Sequence, residues 1–256
     1  MTLVAIILFF VGLAVGSFLN VVAYRVPRDQ SIVSPPSACP HCGKPIQARD
    51  NIPILSWFVL RGRCRNCGGW ISIRYPLVEF ATGLAFAGTV FVVGITWLLP
   101  AALFFVAVTI TLTITDLEHK RIPNRILYPS VPVAIALLAL GALTEGRIED
   151  LWRALLGAFA YFAGWFVISM LTRGGFGMGD VKLSFLLGLY LAFESWRTLV
   201  VGAFLAVLIG GVIAVALLAT RQKGRKDQIP FGPSLIAGAW VALIWGQSIL
   251  DAYLGR

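Results

Sequence analysis

Apolar residues in this chain of 256 fall in long runs divided by short charged interruptions. A hydrocarbon core about 30 Å thick calls for about 20 apolar residues in one helix. Seven runs are of that order: 3–24, 77–95, 97–115, 127–143, 151–172, 199–219 and 235–253. An eighth, 181–193, rises only about 20 Å at 1.5 Å per residue, so it either recruits the glycine-rich stretch before it or begins within the membrane depth. The pattern predicts an all-α polytopic membrane protein of about eight transmembrane helices. The first run has no basic segment before it and no small-residue cleavage site after it, so it reads as a retained anchor rather than a removed signal peptide.

Composition strengthens this picture: 58% of residues are hydrophobic, only 13% are charged, and an ordinary cytosolic enzyme is excluded. The net charge of +9 is consistent with nucleic acid, anionic lipid or membrane topology as its cause, and its distribution favours topology. Of the 21 Lys and Arg residues, 17 lie in segments 25–76, 116–126, 172–182 and 220–234. The other four, Arg147, Arg153, Arg197 and Arg256, fall near the alternate connections. Eight spans with cytoplasmic positive loops give this alternation, and they place both termini outside. The basic loop of Arg221, Lys223, Arg225 and Lys226 then reflects topology and anionic lipid, with no nucleic acid partner. The eight Trp and the Phe-rich runs are expected to face lipid or its interfaces.

Residues 25–76 differ in composition and contain all four cysteines, as Cys39-Pro40-His41-Cys42 and Cys64-Arg65-Asn66-Cys67 with 21 residues between the pairs. A piece of 52 residues is too small for a self-sufficient core. Two such knuckles match a zinc ribbon, in which each turn aims two thiolates at one tetrahedral ion. Two disulfides or a redox pair are the rival readings, and a reducing cytoplasmic face weighs against them. His41 is unnecessary as a ligand once four thiolates are present, and Gly43 and Gly68 turn the chain after each knuckle. The chain thus divides into a first transmembrane helix at 1–24, a cytoplasmic zinc module at 25–76 and a seven-helix membrane domain at 77–256.

Carboxylates beside apolar spans are functional candidates. Asp116 directly follows the third run, and Asp180 ends Gly174-Gly175-Phe176-Gly177-Met178-Gly179-Asp180 before the short one. Glycines before an acid allow sharp turns and close approach of another chain. A phosphate cradle is disfavoured, because no Gly-Lys-Ser/Thr follows and no strand pattern precedes. Asp180 as a plain helix cap is the bland alternative. Together, two carboxylates can act as base and acid toward one water, hydrolysing an amide without metal or nucleophile. No Ser or Cys nucleophile has a plausible His partner, since only His41 and His119 exist, and four cysteine ligands leave zinc no open position.

Several further motifs accompany the acids: Gly16-Ser17-Phe18-Leu19-Asn20-Val21-Val22, Tyr24-Arg25-Val26-Pro27-Arg28, Asn51-Ile52-Pro53-Ile54-Leu55-Ser56-Trp57, Leu60-Arg61-Gly62-Arg63-Cys64, Arg74-Tyr75-Pro76-Leu77-Val78-Glu79 and Ile229-Pro230-Phe231-Gly232-Pro233. With the cysteine module and Gly177-Met178-Gly179-Asp180, this set resembles the bacterial type IV prepilin leader peptidases, GxGD-type aspartic proteases of the inner membrane. The match extends over nearly the whole chain. The resemblance implies cleavage of the basic leader of prepilins and pseudopilins on the cytoplasmic side, in type IV pilus or type II secretion systems. It further implies methylation of the new N-terminal amine from S-adenosylmethionine, and it carries the two catalytic positions onto Asp116 and Asp180. Asn20 and Glu79, near the cytoplasmic ends of the first two spans, are candidates for holding the amine or the methyl donor, against a helix-end role. Gly62 is a further methyl-transfer candidate and equally a turn residue. Two other classes stay open: a proton-coupled transporter with a zinc docking module, and a non-catalytic assembly protein. Cleavage of a leader-bearing pilin in detergent separates them.

Overall fold

A computed structural model describes residues 1–172, 177–220 and 230–255. Gly174, Gly175 and Phe176, the basic loop of Arg221, Lys223, Arg225 and Lys226, and Arg256 lie outside the described residues. Among the described residues the α-helices are α1 Thr2–Arg25, α2 Leu55–Val59, α3 Arg74–Val93, α4 Leu99–His119, α5 Asn124–Thr144, α6 Ile148–Leu171, α7 Met178–Glu194, α8 Trp196–Ala219 and α9 Gly232–Leu254. All but α2 and α7 are long and apolar enough to cross a membrane. The helices run past the apolar runs into polar residues at Arg74 and His119, because helical hydrogen bonding continues where hydropathy stops.

The short run is resolved in α7, whose 17 residues include Met178, Gly179 and Asp180 at its start. Its length is about 25 Å. Eleven of its residues are buried, and α5, α6, α8 and α9 all pack on it. A helix apolar on every side and enclosed by other helices need not match the lipid thickness. At its far end, Arg153 of α6 donates to the carbonyls of Ala192, Phe193 and Glu194, satisfying acceptors that a helix C-terminus leaves open. Trp97, Trp152 and Trp196 are exposed near the starts of α4, α6 and α8, at the connections poor in basic residues.

The chain forms two compact units, Met1–Thr111 and Leu112–Arg256, and the division falls inside α4. In the first unit α1 packs closely on α3 through glycines four residues apart. A Cβ on Gly12 would lie 2.8 Å from the Cα of Gly83, and one on Gly16 2.8 Å from the Cα of Glu79, so only glycine allows this approach. Between these helices the module folds around two equivalent turns. Gly43 N–H donates to the Cys39 carbonyl at 2.8 Å, and Gly68 N–H to the Cys64 carbonyl at 2.9 Å. Both glycines have φ of +69°, the left-handed region that favours glycine. Isolated bridges join Ala38 to Pro45 and Arg63 to Trp70 at matching places in the two turns. Asp50 binds the Arg65 guanidinium through contacts of 2.7 to 3.1 Å, tying the turn at Ala48–Asp50 to the second knuckle.

Candidate active site

Three segments of the second unit converge on the acid pair. Asp116 lies in the last turn of α4 and is 4% exposed. The helix ends there as Lys120, at φ +50°, donates its N–H to the Asp116 carbonyl at 2.8 Å and sends the chain through Ile122 into α5. Asp180 is the third residue of α7, where its carboxylate reaches back to the N–H of Gly177, the residue before the helix, as in a capping box. It is half-buried. The N-cap position itself belongs to Gly177, so Asp180 is not the plain cap of the alternative reading, and its carboxylate lies within reach of a second acid.

Gly179 lets these two segments touch, because a Cβ there would stand 3.2 Å from Ile122 Cβ. Lys182 of α7 adds a second tie, donating to the Asn124 side-chain oxygen at 3.4 Å and lying over the Tyr128 ring. The third segment is the start of α9. Phe231 is wedged against the Trp165 ring, with centroids 5.3 Å apart, and over Gly210, where a Cβ would overlap its ring. That anchoring delivers Gly232 to the acids. A Cβ on Gly232 would lie 2.6 Å from Asp116 Oδ2 and 3.3 Å from Asp180 Oδ1. Its backbone amide interacts with both carboxylates. Asp116 Oδ2 is buried and has no hydrogen-bond partner of normal geometry among the described residues. Gly232 is not a site candidate from the sequence; the signal it carries there is a glycine between Phe231 and Pro233 at the head of an apolar run.

In the first unit no disulfide joins the four cysteines, and their sulfurs all lie within 4.8 Å of one another. Cys39 Sγ and Cys67 Sγ are 3.8 Å apart. The backbone amides of Cys67 and Asn66 donate to Cys64 and pull its thiol down to about 6. This group could hold a metal ion. His41 is not a member of the cluster and packs against Gly69.

The remaining candidates are placed separately. Glu79 is 8% exposed and accepts from Ile54 N–H at 2.7 Å and from the Ser17 side chain. Asn20 is 1% exposed; its amide donates to the carbonyls of Gly16 and Tyr75, each at 3.2 Å, while Oδ1 has no partner among the described residues. Gly62 has φ of +66°, and a Cβ on it would lie 3.0 Å from the Trp57 ring. The structure therefore gives Gly62 the turn function and sets it under an indole that donates to the Ile71 carbonyl at 3.0 Å.

Residues 10–93 match the bacterial peptidase A24 N-terminal domain, and residues 103–215 match the type IV leader peptidase family. Proteins named prepilin leader peptidase/N-methyltransferase are similar over most of the chain. One from Bacillus subtilis is 36% identical, with 97% of each chain covered. One from Stutzerimonas stutzeri is 34% identical, covering 95% of this chain and 91% of its own. One from Myxococcus xanthus is 41% identical over 88% of this chain and 67% of its own. No solved structure matches. Helical spans, a four-sulfur cluster between the first two of them and two carboxylates meeting at Gly232 accord with these matches, and the chain belongs to the type IV leader peptidase family.

Proposed function

We propose that this chain is a membrane endopeptidase that removes the basic leader of type IV prepilins or pseudopilins and then methylates the exposed N-terminus. The observation that carries the peptidase reading is the meeting of Asp116 and Asp180 at the Gly232 backbone. One carboxylate, ionised, takes a proton from the attacking water while its protonated partner donates to the carbonyl of the scissile peptide. The roles exchange when the leaving amine takes its proton. Asp116 Oδ2, without a hydrogen-bond donor among the described residues, is the acceptor available to that water. The Gly232 amide orients both acids without adding bulk between them.

Cys39, Cys42, Cys64 and Cys67 hold structural zinc. Metal–sulfur bonds of about 2.3 Å in a tetrahedron set sulfurs about 3.8 Å apart, and the Cys39–Cys67 separation of 3.8 Å agrees with this. Zinc supplies folding energy to a module too small to have a core of its own. S-adenosylmethionine supplies the methyl group, in keeping with the names of the relatives. Partners are the pilin substrate and membrane lipid, and the distribution of basic residues supports an active site at the cytoplasmic face of the inner membrane with both termini outside.

The test is cleavage of a leader-bearing pilin by purified full-length protein in detergent. Asp116→Asn and Asp180→Asn should each abolish cleavage and leave zinc content and melting temperature at the wild-type values. Normal cleavage by either variant ends the two-aspartate mechanism.

A further inference from the structure

A cleft of about 370 Å³ opens in the first unit where the polar end of α1 meets the loop that follows it. One wall is a single face of α1, with Ala14, Ser17, Phe18, Val21 and Arg25 recurring at helical spacing. The facing wall is formed from segment 32–37 together with Asn51 and Pro53. Arg25 holds the two walls together by donating to the carbonyls of Ser31 at 2.9 Å and Pro36 at 3.4 Å, and a guanidinium retains further donors after two are used. At the other side Ser17 binds the Glu79 carboxylate, which also takes the N–H of Ile54, the residue after Pro53. Ile54 has φ of +62°, a conformation that a β-branched residue holds only where its surroundings enforce it. The cleft thus combines an arginine, a carboxylate one residue behind its wall, an amide at Asn51 and apolar surfaces from Phe18 and the prolines.

Resting on the methyltransferase reading, the geometry points to this cleft as the binding site of the methyl donor, a sulfonium-bearing nucleoside. Each part of such a molecule has a matching group. Its carboxylate suits the Arg25 guanidinium. Its purine suits the apolar faces of Phe18, Pro35 and Pro36, and its positive sulfur suits the side occupied by Ser17 and Glu79. The volume falls within the range of small-molecule sites, which are mostly apolar with a few placed polar groups. Glu79 is then a positioning residue that acts through Ser17. Gly62 and Asn20 do not line the cleft. Gly62 acts on it at one remove, because Trp57, which lies over Gly62, belongs to α2, and α2 begins directly after Ile54.

The experiment measures binding of tritiated S-adenosylmethionine to full-length zinc-loaded protein in detergent, with no pilin present. Wild-type protein should bind one equivalent, and ultraviolet cross-linking followed by peptide mapping should place the label within 14–37 or 51–53. Val21→Trp, which fills the cleft, and Arg25→Gln should each raise Kd at least tenfold, with zinc content and melting temperature reporting that both variants fold. Label confined to other peptides, or an unchanged Kd in a folded Val21→Trp variant, overturns the site while the methyltransferase reading stands. Wild-type protein that neither binds the donor nor methylates cleaved pilin overturns both.

Discussion

Replacing Gly232 by alanine tests the geometry of the acid pair with one methyl group. The added Cβ would stand 2.6 Å from Asp116 Oδ2. A carbon–oxygen contact is comfortable near 3.3 Å, so the carboxylate must retreat by about 0.7 Å. Rotation of the Asp116 side chain off its rotamer by about 30° costs about 1 kcal/mol and changes its placement relative to Asp180. Misplacement of about 1 Å in a positioned catalytic group can lower a rate by about 100-fold, equivalent to about 2.7 kcal/mol of transition-state stabilisation. Gly232→Ala should therefore reduce kcat/KM for leader cleavage by about two orders of magnitude. The residue precedes Pro233, where a Cβ disfavours helical backbone, so melting temperature and zinc content are followed in parallel. Gly232→Ala protein that folds normally and cleaves within about threefold of wild type would refute the claim that a missing side chain lets the two acids meet.

Metal analysis should find one zinc per chain, and replacing any of Cys39, Cys42, Cys64 or Cys67 by serine should lower zinc content and increase protease nicking within 25–76. Gly62→Leu faces a left-handed backbone, which penalises a side chain by about 1–2 kcal/mol, and a Cβ only 3.0 Å from the Trp57 ring. It should spare leader cleavage and lower methylation, read by mass spectrometry as mature pilin lacking one methyl mass; fully methylated product would detach Gly62 from that reaction. A reporter fused after Arg256 should be external and one inserted near Lys223 cytoplasmic, and the opposite result at both positions would reverse the topology.

Local features of the site were legible along the chain because their causes are local. Each knuckle is set by two cysteines three apart and a glycine directly after them, and both glycines take the turn conformation that this order suggests. The Gly177-Met178-Gly179-Asp180 turn likewise announces a close approach, though nothing in it says that Ile122 is the neighbour. Gly62 illustrates a residue whose pattern permits two roles, and only the position of the Trp57 indole gives the turn its structural reason.

By itself the sequence determined the membrane-spanning helices, since lipid demands long apolar stretches whose backbone is satisfied internally. It also determined the sulfur-rich module and the two acids worth suspecting. Tertiary structure alone decided that α7, 17 residues long, is enclosed by neighbouring helices. It decided that Asp116 and Asp180, far apart along the chain, both lie against Gly232, and that one face of α1 closes against a proline-bearing loop to make a cleft. Those relations depend on which glycine admits which neighbour and where an anchored ring such as Phe231 delivers the next residue. Such contacts are fixed by packing between distant segments, and no periodicity within one segment encodes them.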